Sequence, residues 1–235
     1  SLSYSTWTSA GGWSASSMSV GYNVTYSTRT QWVRLVTKPN SDEIQLVFSK
    51  SPATTGTQEL HAVTWNGSSW GTGSFISGNT TGSSEQRFDV NYESGSGDCL
   101  IAFSSSTNTP PSYTTRASGT TSWSAVGQAS DWGTDLQGQW YRLVREEAPS
   151  SDDIYLMVNT SSDTVGYAVA WQKWNGSSWG GITKVETKSL SARQSFDMCI
   201  LKSQVDSTPP APISNLTAVA SGTTEGQVKL EWTSP

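Results

Sequence analysis

The chain is poor in the residues on which most catalytic and metal-binding chemistry depends. Its 235 residues include one histidine, His61, and two cysteines. Zinc, haem and iron–sulfur sites need clustered histidine or cysteine ligands, so the sequence predicts no metal site and no cofactor. A Ser-His-Asp triad would depend on that single histidine. The composition therefore predicts a protein that is not an enzyme. A glycosidase, which needs only two carboxylates, is the third alternative for its function.

Charge is also scarce. Charged residues make up 14% of the chain, and the net charge is −5 at pH 7. No basic cluster is present, which argues against a nucleic-acid partner. No apolar run approaches the roughly 18 residues of a membrane span, so no membrane insertion is expected. Low charge combined with serine-, threonine- and glycine-rich loops is typical of β-rich exoproteins, and predicts an extracellular or cell-surface location.

The two cysteines, Cys99 and Cys199, are too few for a disulfide framework. Cysteine often serves as a small buried apolar residue, which favours two free thiols over one disulfide. The sequence leaves the pairing open.

An internal duplication dominates what is present. Trp-Asn-Gly-Ser-Ser-Trp-Gly occurs at 65–71 and again at 174–180, a spacing of 109 residues (174 − 65). Other patterns return at nearly the same spacing. Gln-Trp-Val-Arg-Leu-Val at 31–36 matches Gln-Trp-Tyr-Arg-Leu-Val at 139–144. A shared spacing across several patterns indicates a repeat architecture.

Each long repeat divides into two related halves of four short segments. The segments are rich in Val, Ile, Leu, Tyr and Trp alternating with polar residues, and turn residues separate them. A period of about 54 residues with four strands per unit is typical of β-propeller blades. We therefore predict an all-β, β-propeller-like fold of four antiparallel four-stranded units. Three complete units cover 31–77, 86–126 and 139–186. A β-sandwich or a strand-exchanged assembly is the alternative.

The fourth unit is shared between the two ends of the repeat. Residues 4–7 and 13–14 match the third and fourth strands of a unit, and residues 196–201 match a first strand. These ends could complete one another within one chain and close a ring, which removes exposed sheet edges. They could also pair between chains and give a filament. The second strand is missing from the pattern, and residues 213–219 could supply it.

The composition changes after Asp206. The predicted repeat domain covers 1–206, and a Pro-rich linker covers 207–212. The tail, 213–235, contains Ile-Ser-Asn-Leu-Thr-Ala-Val and then Gln-Val-Lys-Leu-Glu-Trp-Thr. This pattern resembles the first two strands of a fibronectin type III domain. The resemblance implies a multidomain exoprotein in which such modules serve as spacers. A docking tail is the alternative.

The Trp-Asn-Gly-Ser-Ser-Trp hairpin resembles the blade hairpin of fucose-binding lectin propellers. In that family an arginine of the innermost strand and the tryptophan rings line a sugar site. The resemblance implies that the ligand-binding residues of this chain are Arg34, Trp65, Trp70, Arg142, Trp174 and Trp179. Aromatic faces stack on sugar rings, so a glycan ligand is consistent with the twelve tryptophans.

The same residues have a structural interpretation. One tryptophan recurs at an equivalent place in every unit, as packing between units demands, and the arginines could pair with acids. Ser-Asp-Glu at 41–43 and Ser-Asp-Asp at 151–153 offer oxygen ligands for calcium, but their composition favours polar turns. The sequence thus predicts a non-catalytic extracellular module that binds a glycan or a surface protein. The alternative is a structural subunit of a surface layer or filament, which self-assembles through its incomplete terminal units.

Overall fold

A computed structural model describes residues 2–14, 18–20, 29–51, 57–81, 85–106, 109–130, 132, 138–160, 168–186, 196–200, 217–220 and 228–231. The chain forms two compact bodies, Ser1–Ile200 and Leu201–Pro235. Every regular element in the described residues is a β-strand, and each strand ladder is antiparallel. The predicted all-β class is confirmed.

Three four-stranded meanders form the centre of the first body. The first unit contains β5 (Arg29–Thr37), β6 (Glu43–Ser51), β7 (Thr57–Asn66) and β8 (Ser74–Thr81). The second unit contains β9 (Phe88–Tyr92), β10 (Cys99–Phe103), β11 (Ser112–Arg116) and β12 (Gly127–Gln128). The third unit contains β13 (Gly138–Arg145), β14 (Ile154–Thr160), β15 (Val169–Trp174) and β16 (Thr183–Glu186). They correspond to the three complete units that the repeat predicts.

The N-terminal segment forms two short ladders. β1 (Ser3–Tyr4) pairs with β4 (Met18–Ser19), and β2 (Trp7–Thr8) pairs with β3 (Gly12–Trp13). At the other end of the repeat, the sequence predicts a first strand over 196–201, but residues 196–200 join no ladder among the described residues. The rest of that end and the predicted linker, 201–212, lie outside the described residues.

In the second body, β17 (Thr217–Ala220) and β18 (Val228–Glu231) form an antiparallel pair. They overlap the two segments of the tail that resemble the opening of a fibronectin type III domain. Two strands make a hairpin, and a sandwich needs more.

The units pack face to face in chain order. One apolar cluster joins β6 and β7 of the first unit to β9 and β10 of the second. Another joins β10 to β13, β14 and β15 of the third unit. All five residues of β10 are buried, because this strand is covered on both faces. The order in space therefore follows the order in the chain, as expected for successive blades.

The first and third units also touch directly through their first strands, β5 and β13. The Trp32 and Trp140 rings lie 5.3 Å apart between centroids, in an edge-to-face arrangement. The guanidinium of Arg145 donates to the carbonyl oxygen of Thr37 at 2.9 Å. In the second unit, β9 contacts both β5 and β13, so the first strands of all three units converge at one centre.

The repeated hairpin has a local cause. Gly67 and Gly176 adopt φ values of +97° and +91°, a left-handed region that glycine enters without steric cost. The Asn66 side-chain oxygen accepts hydrogen bonds from the backbone N–H groups of Ser68 and Ser69 at 3.0 and 2.9 Å. These bonds fix the turn and bring the two flanking tryptophans of each copy into an antiparallel bridge.

Candidate functional site

The hairpin tryptophans hold neighbouring units together. Trp65 and Trp70 lie edge-to-face with each other at 5.5 Å, and both contact the Tyr4 ring, at 5.7 and 5.6 Å. Tyr4 belongs to the N-terminal segment that precedes the first unit. Two of the six predicted ligand-binding residues therefore form part of an aromatic packing cluster.

The second copy of the hairpin forms the same kind of cluster between the second and third units. Trp174 and Trp179 lie 5.3 Å apart, and both contact the Tyr113 ring of the second unit, at 5.3 and 5.6 Å. Trp174 is 4% exposed, and its indole N–H donates to a Glu93 carboxylate oxygen at 2.7 Å. Burial raises the pKa of Glu93. The partners of this hairpin therefore come from the preceding unit.

The two predicted arginines form matching ion pairs. Arg34 Nε lies 2.6 Å from a carboxylate oxygen of Asp89, and Arg142 Nε lies 2.6 Å from the equivalent oxygen of Asp197. In each pair a second guanidinium nitrogen approaches the other carboxylate oxygen, at 3.4 and 3.3 Å. Each arginine is thus engaged by an acid from the next unit along the chain. Their predicted roles in ligand binding stay predictions.

Asp89 joins three units. In addition to Arg34 of the first unit, its carboxylate accepts the backbone N–H of Leu143 in the third unit at 2.8 Å, and its own neighbour Val90 donates at 2.9 Å. The side chain is fully buried. Desolvation by burial raises the pKa of Asp89 to about 6, against the lowering effects of Arg34 and of the Leu143 N–H. Asp89 is therefore a central structural acid.

A second buried charge network lies between the first and second units. Arg116 donates to a Glu43 carboxylate oxygen at 2.6 Å and to the Tyr92 hydroxyl at 3.1 Å, and its guanidinium carbon lies 5.8 Å from the Trp123 ring centroid. Desolvation opposes ionisation of Glu43, but the hydrogen bonds from Arg116 and Tyr92 lower its pKa overall. The sequence did not predict this network, because the position equivalent to Arg116 in the N-terminal segment is not an arginine.

In the N-terminal segment, Trp7 and Trp13 are the equivalents of Arg116 and Trp123. They lie 109 and 110 residues before Arg116 and Trp123 (116 − 7 and 123 − 13). Trp7 and Trp13 are direct cross-strand partners, and they are 58% and 71% exposed. Cross-strand partners project from the same face of a ladder. The structure thus displays two large indoles side by side in solvent, and the sequence-based candidate site did not include them.

The ladder that carries these indoles is held by its own hydrogen bonds. The backbone N–H of Ser14 donates to the carbonyl oxygen of Thr6 at 2.7 Å, and the Ser14 hydroxyl accepts the N–H of Thr6 at 3.0 Å. Gly12 takes a φ of +68° in the turn, where the Thr8 hydroxyl accepts the N–H of Gly11 at 3.0 Å. The two rings therefore stand on a fixed turn.

The described residues contain no group of three or more potential metal ligands. The Ser41 hydroxyl accepts the N–H of Glu43, and the Ser151 hydroxyl accepts that of Asp153, both at 3.1 Å. These bonds are typical of the polar turns that the sequence favours at both places. His61 is buried and lies 3.0 Å from Glu59, and desolvation lowers its pKa.

Both cysteines are free: Cys99 is buried and Cys199 is exposed. Burial raises the pKa of the Cys99 thiol. None of the described residues forms a helix long and apolar enough to cross a membrane.

Comparison of the chain with protein-family models, with curated proteins and with solved structures gives no match. The side chains themselves therefore carry the evidence for a function.

Proposed function

We propose that the chain is a non-catalytic binding module that acts outside the cell and recognises a glycan. The single observation that carries this proposal is the exposed pair Trp7 and Trp13, at 58% and 71% exposure. Large aromatic side chains normally bury most of their surface. Two neighbouring indoles in solvent are therefore expected to meet a partner.

The chemistry of the pair favours a sugar. An indole face stacks on the C–H face of a pyranose ring, while the indole N–H remains able to donate to a hydroxyl group. Because Trp7 and Trp13 project from the same face of one ladder, they suit either two faces of one ring or two neighbouring rings. This assignment moves the proposed site away from the hairpin tryptophans, whose rings pack on Tyr4 and Tyr113.

The low charge of the chain and the tail that resembles a fibronectin type III opening support an extracellular module within a longer exoprotein. The acidic net charge of −5 supports a neutral or uncharged ligand over a polyanion.

The proposal is tested by a glycan array, followed by tryptophan-fluorescence titration of each hit. Trp13→Ala and Trp7→Ala are each expected to weaken binding about tenfold or more, the equivalent of about 1.4 kcal/mol. Phe75→Ala is the matched control, because Phe75 is also an aromatic residue of the first body and is 59% exposed. Its affinity should equal that of the unaltered chain. An array without hits, or hits that both tryptophan variants bind unchanged, would contradict the proposal.

A second candidate function is a structural subunit that assembles through its incomplete ends. The observation that favours it is the exposure of Leu35, which is 59% accessible on the face of the first unit. Light scattering across a range of concentrations is its test, and a mass of 25.2 kDa throughout would contradict it.

A further inference from the structure

Equivalent positions of the two long repeats differ in burial. Val33 and Leu35 of β5 correspond to Tyr141 and Leu143 of β13, 108 residues later. Tyr141 and Leu143 are each 2% exposed, whereas Val33 is 44% and Leu35 is 59% exposed. Leu35 and Leu143 are both leucine, so residue type does not explain their difference in burial.

The strands of the second unit bury Tyr141 and Leu143. Leu100 and Ala102 of β10 lie in the same apolar cluster as these residues. The backbone of Leu143 is held from both sides by β9: its N–H donates to Asp89 at 2.8 Å, and its carbonyl oxygen accepts from the Asn91 amide at 3.0 Å. A first strand such as β9 therefore docks on the face that carries Tyr141 and Leu143, through the Asp89 carboxylate and the Asn91 amide.

Among the described residues, no strand of the β9 kind covers the first unit in this way. On its equivalent face, Leu46, Phe48 and Val63 are covered, with Leu2 and Tyr4 of the N-terminal segment packed against them. The described residues of that segment supply the equivalents of the third and fourth strands of a unit. Val33 and Leu35 remain exposed on this side of the first unit, and we call the surface that they form the acceptor face.

The chain contains a matching donor in residues 196–200. This segment, Phe-Asp-Met-Cys-Ile, repeats the pattern Phe-Asp-Val-Asn-Tyr of β9. Asp197 binds Arg142 as Asp89 binds Arg34, with the same 2.6 Å contact, and the N–H of Met198 donates to Asp197 at 2.8 Å as that of Val90 does to Asp89. The Asp197 side chain, however, is 72% exposed, whereas that of Asp89 is fully buried.

We propose that residues 196–200 of one copy dock on the acceptor face of a second copy. In this contact the Asp197 carboxylate accepts the Leu35 N–H, as Asp89 accepts that of Leu143. The occupant is a second copy because donor and acceptor are both exposed in the single chain, and each copy offers one of each. Such a contact is heterologous, so it joins copies head to tail, in a ring where the rotation between copies closes and in a filament where it does not. The inference rests on the second candidate function and is independent of glycan binding.

Light scattering on a size-exclusion column gives the first test. The unaltered protein is expected to shift from 25.2 kDa at low concentration to multiples of that mass at high concentration. Asp197→Asn should shift the midpoint at least about tenfold higher in concentration, because it removes the charge that accepts the Leu35 N–H. A mass of 25.2 kDa at every concentration would overturn both the inference and the assembly function. Assembly that Asp197→Asn leaves unchanged would overturn the inference alone.

Cross-linking between two distinguishable copies gives the second test, because a disulfide traps the contact even where Leu35→Cys weakens it. A tagged chain carrying Leu35→Cys and Cys199→Ser is mixed with the unaltered chain and oxidised. Cys199 is exposed and is the equivalent of Asn91, which contacts Leu143. A disulfide-linked pair of one tagged and one untagged chain is expected.

The matched control for cross-linking carries Phe75→Cys in place of Leu35→Cys, because Phe75 is equally exposed, at 59%, outside the acceptor face. It should give at least about tenfold less of the mixed pair. Equal yields from the two positions would overturn the inference. So would a chain carrying Leu35→Cys with its own Cys199 retained that cross-links only within itself, because that result would place the contact inside one copy.

Discussion

Removal of one carboxylate at two equivalent places of the repeat should have very different effects on stability. The changes are Asp89→Ala and Asp197→Ala. The two acids bind their arginines with the same geometry, at 2.6 Å from Nε. They differ in burial, because the side chain of Asp89 is fully buried and that of Asp197 is 72% exposed. The pair therefore compares a buried acid, which also accepts the Leu143 N–H and lies 3.5 Å from Arg142, with an exposed acid that binds one arginine.

The structure sets the size of each effect. Asp89→Ala leaves the Leu143 N–H without its acceptor and removes a charge partner from Arg34 and Arg142, so a loss of about 3–5 kcal/mol in the free energy of unfolding is expected. Arg34 is 30% exposed and can turn partly to water, which favours the lower end of that range. For Asp197→Ala, solvent screening of the exposed pair leaves a loss of about 0–1 kcal/mol.

The assay is urea unfolding followed by tryptophan fluorescence, at a protein concentration where light scattering gives the mass of a single chain. The ratio of the two losses is the decisive quantity, and the midpoint and slope should be fitted separately. Equal losses for Asp89→Ala and Asp197→Ala would refute the reasoning, because burial would then not control the contribution of the contact. A large loss for Asp197→Ala at high protein concentration alone would instead support its burial between copies.

Two further predictions concern the cysteines and the hairpin glycines. A thiol reagent should label only Cys199 in the folded protein and both cysteines in denaturant, since Cys99 is buried and its thiol pKa is raised; labelling of Cys99 at the same rate would contradict this. Gly176→Ala should lower the free energy of unfolding by about 1–2 kcal/mol or more, and Gly67→Ala by less. Both have positive φ, but the new methyl would lie 2.8 Å from a side-chain carbon of Asp152 at Gly176 and 3.3 Å from the nearest atom at Gly67. Urea midpoints measure the order, and equal shifts would argue against the clash.

The repeat allowed the fold to be predicted from the sequence. Alternation of apolar and polar residues placed the strands, and the recurrence of Trp-Asn-Gly-Ser-Ser-Trp-Gly placed the units, because a repeated turn must recur in a repeated place. The ends were harder. Residues 196–200 carry the sequence of a first strand but join no ladder in the described structure, since strand formation needs a neighbour that the pattern alone does not guarantee.

The candidate site was less accessible to sequence reasoning. The same six residues follow Trp65 and Trp174 in sequence, yet Trp174 is 4% exposed and bonded to Glu93, while Trp65 is half-buried. Trp7 and Trp13 lack the Asn-Gly turn that marked the other tryptophans, so the motif did not point to them. Their exposure follows from which unit lies beside them, and that is a tertiary property.

Burial in this protein depends on position in the array more than on residue type. Leu143 lies between two units and is 2% exposed, whereas Leu35 lies at the leading face of the first unit and is 59% exposed. The trailing face shows the same effect, because Val185 is 57% exposed while its equivalent Ile76 packs against the apolar cluster that joins the first and second units. Burial of one such side chain contributes about 1.5–3 kcal/mol. Apolar surface at both ends of the array is thus a driving force for contact between them. In the described residues the donor segment and the acceptor face each occur once, so the head-to-tail contact that we propose would satisfy both ends with the interactions that already join the internal units.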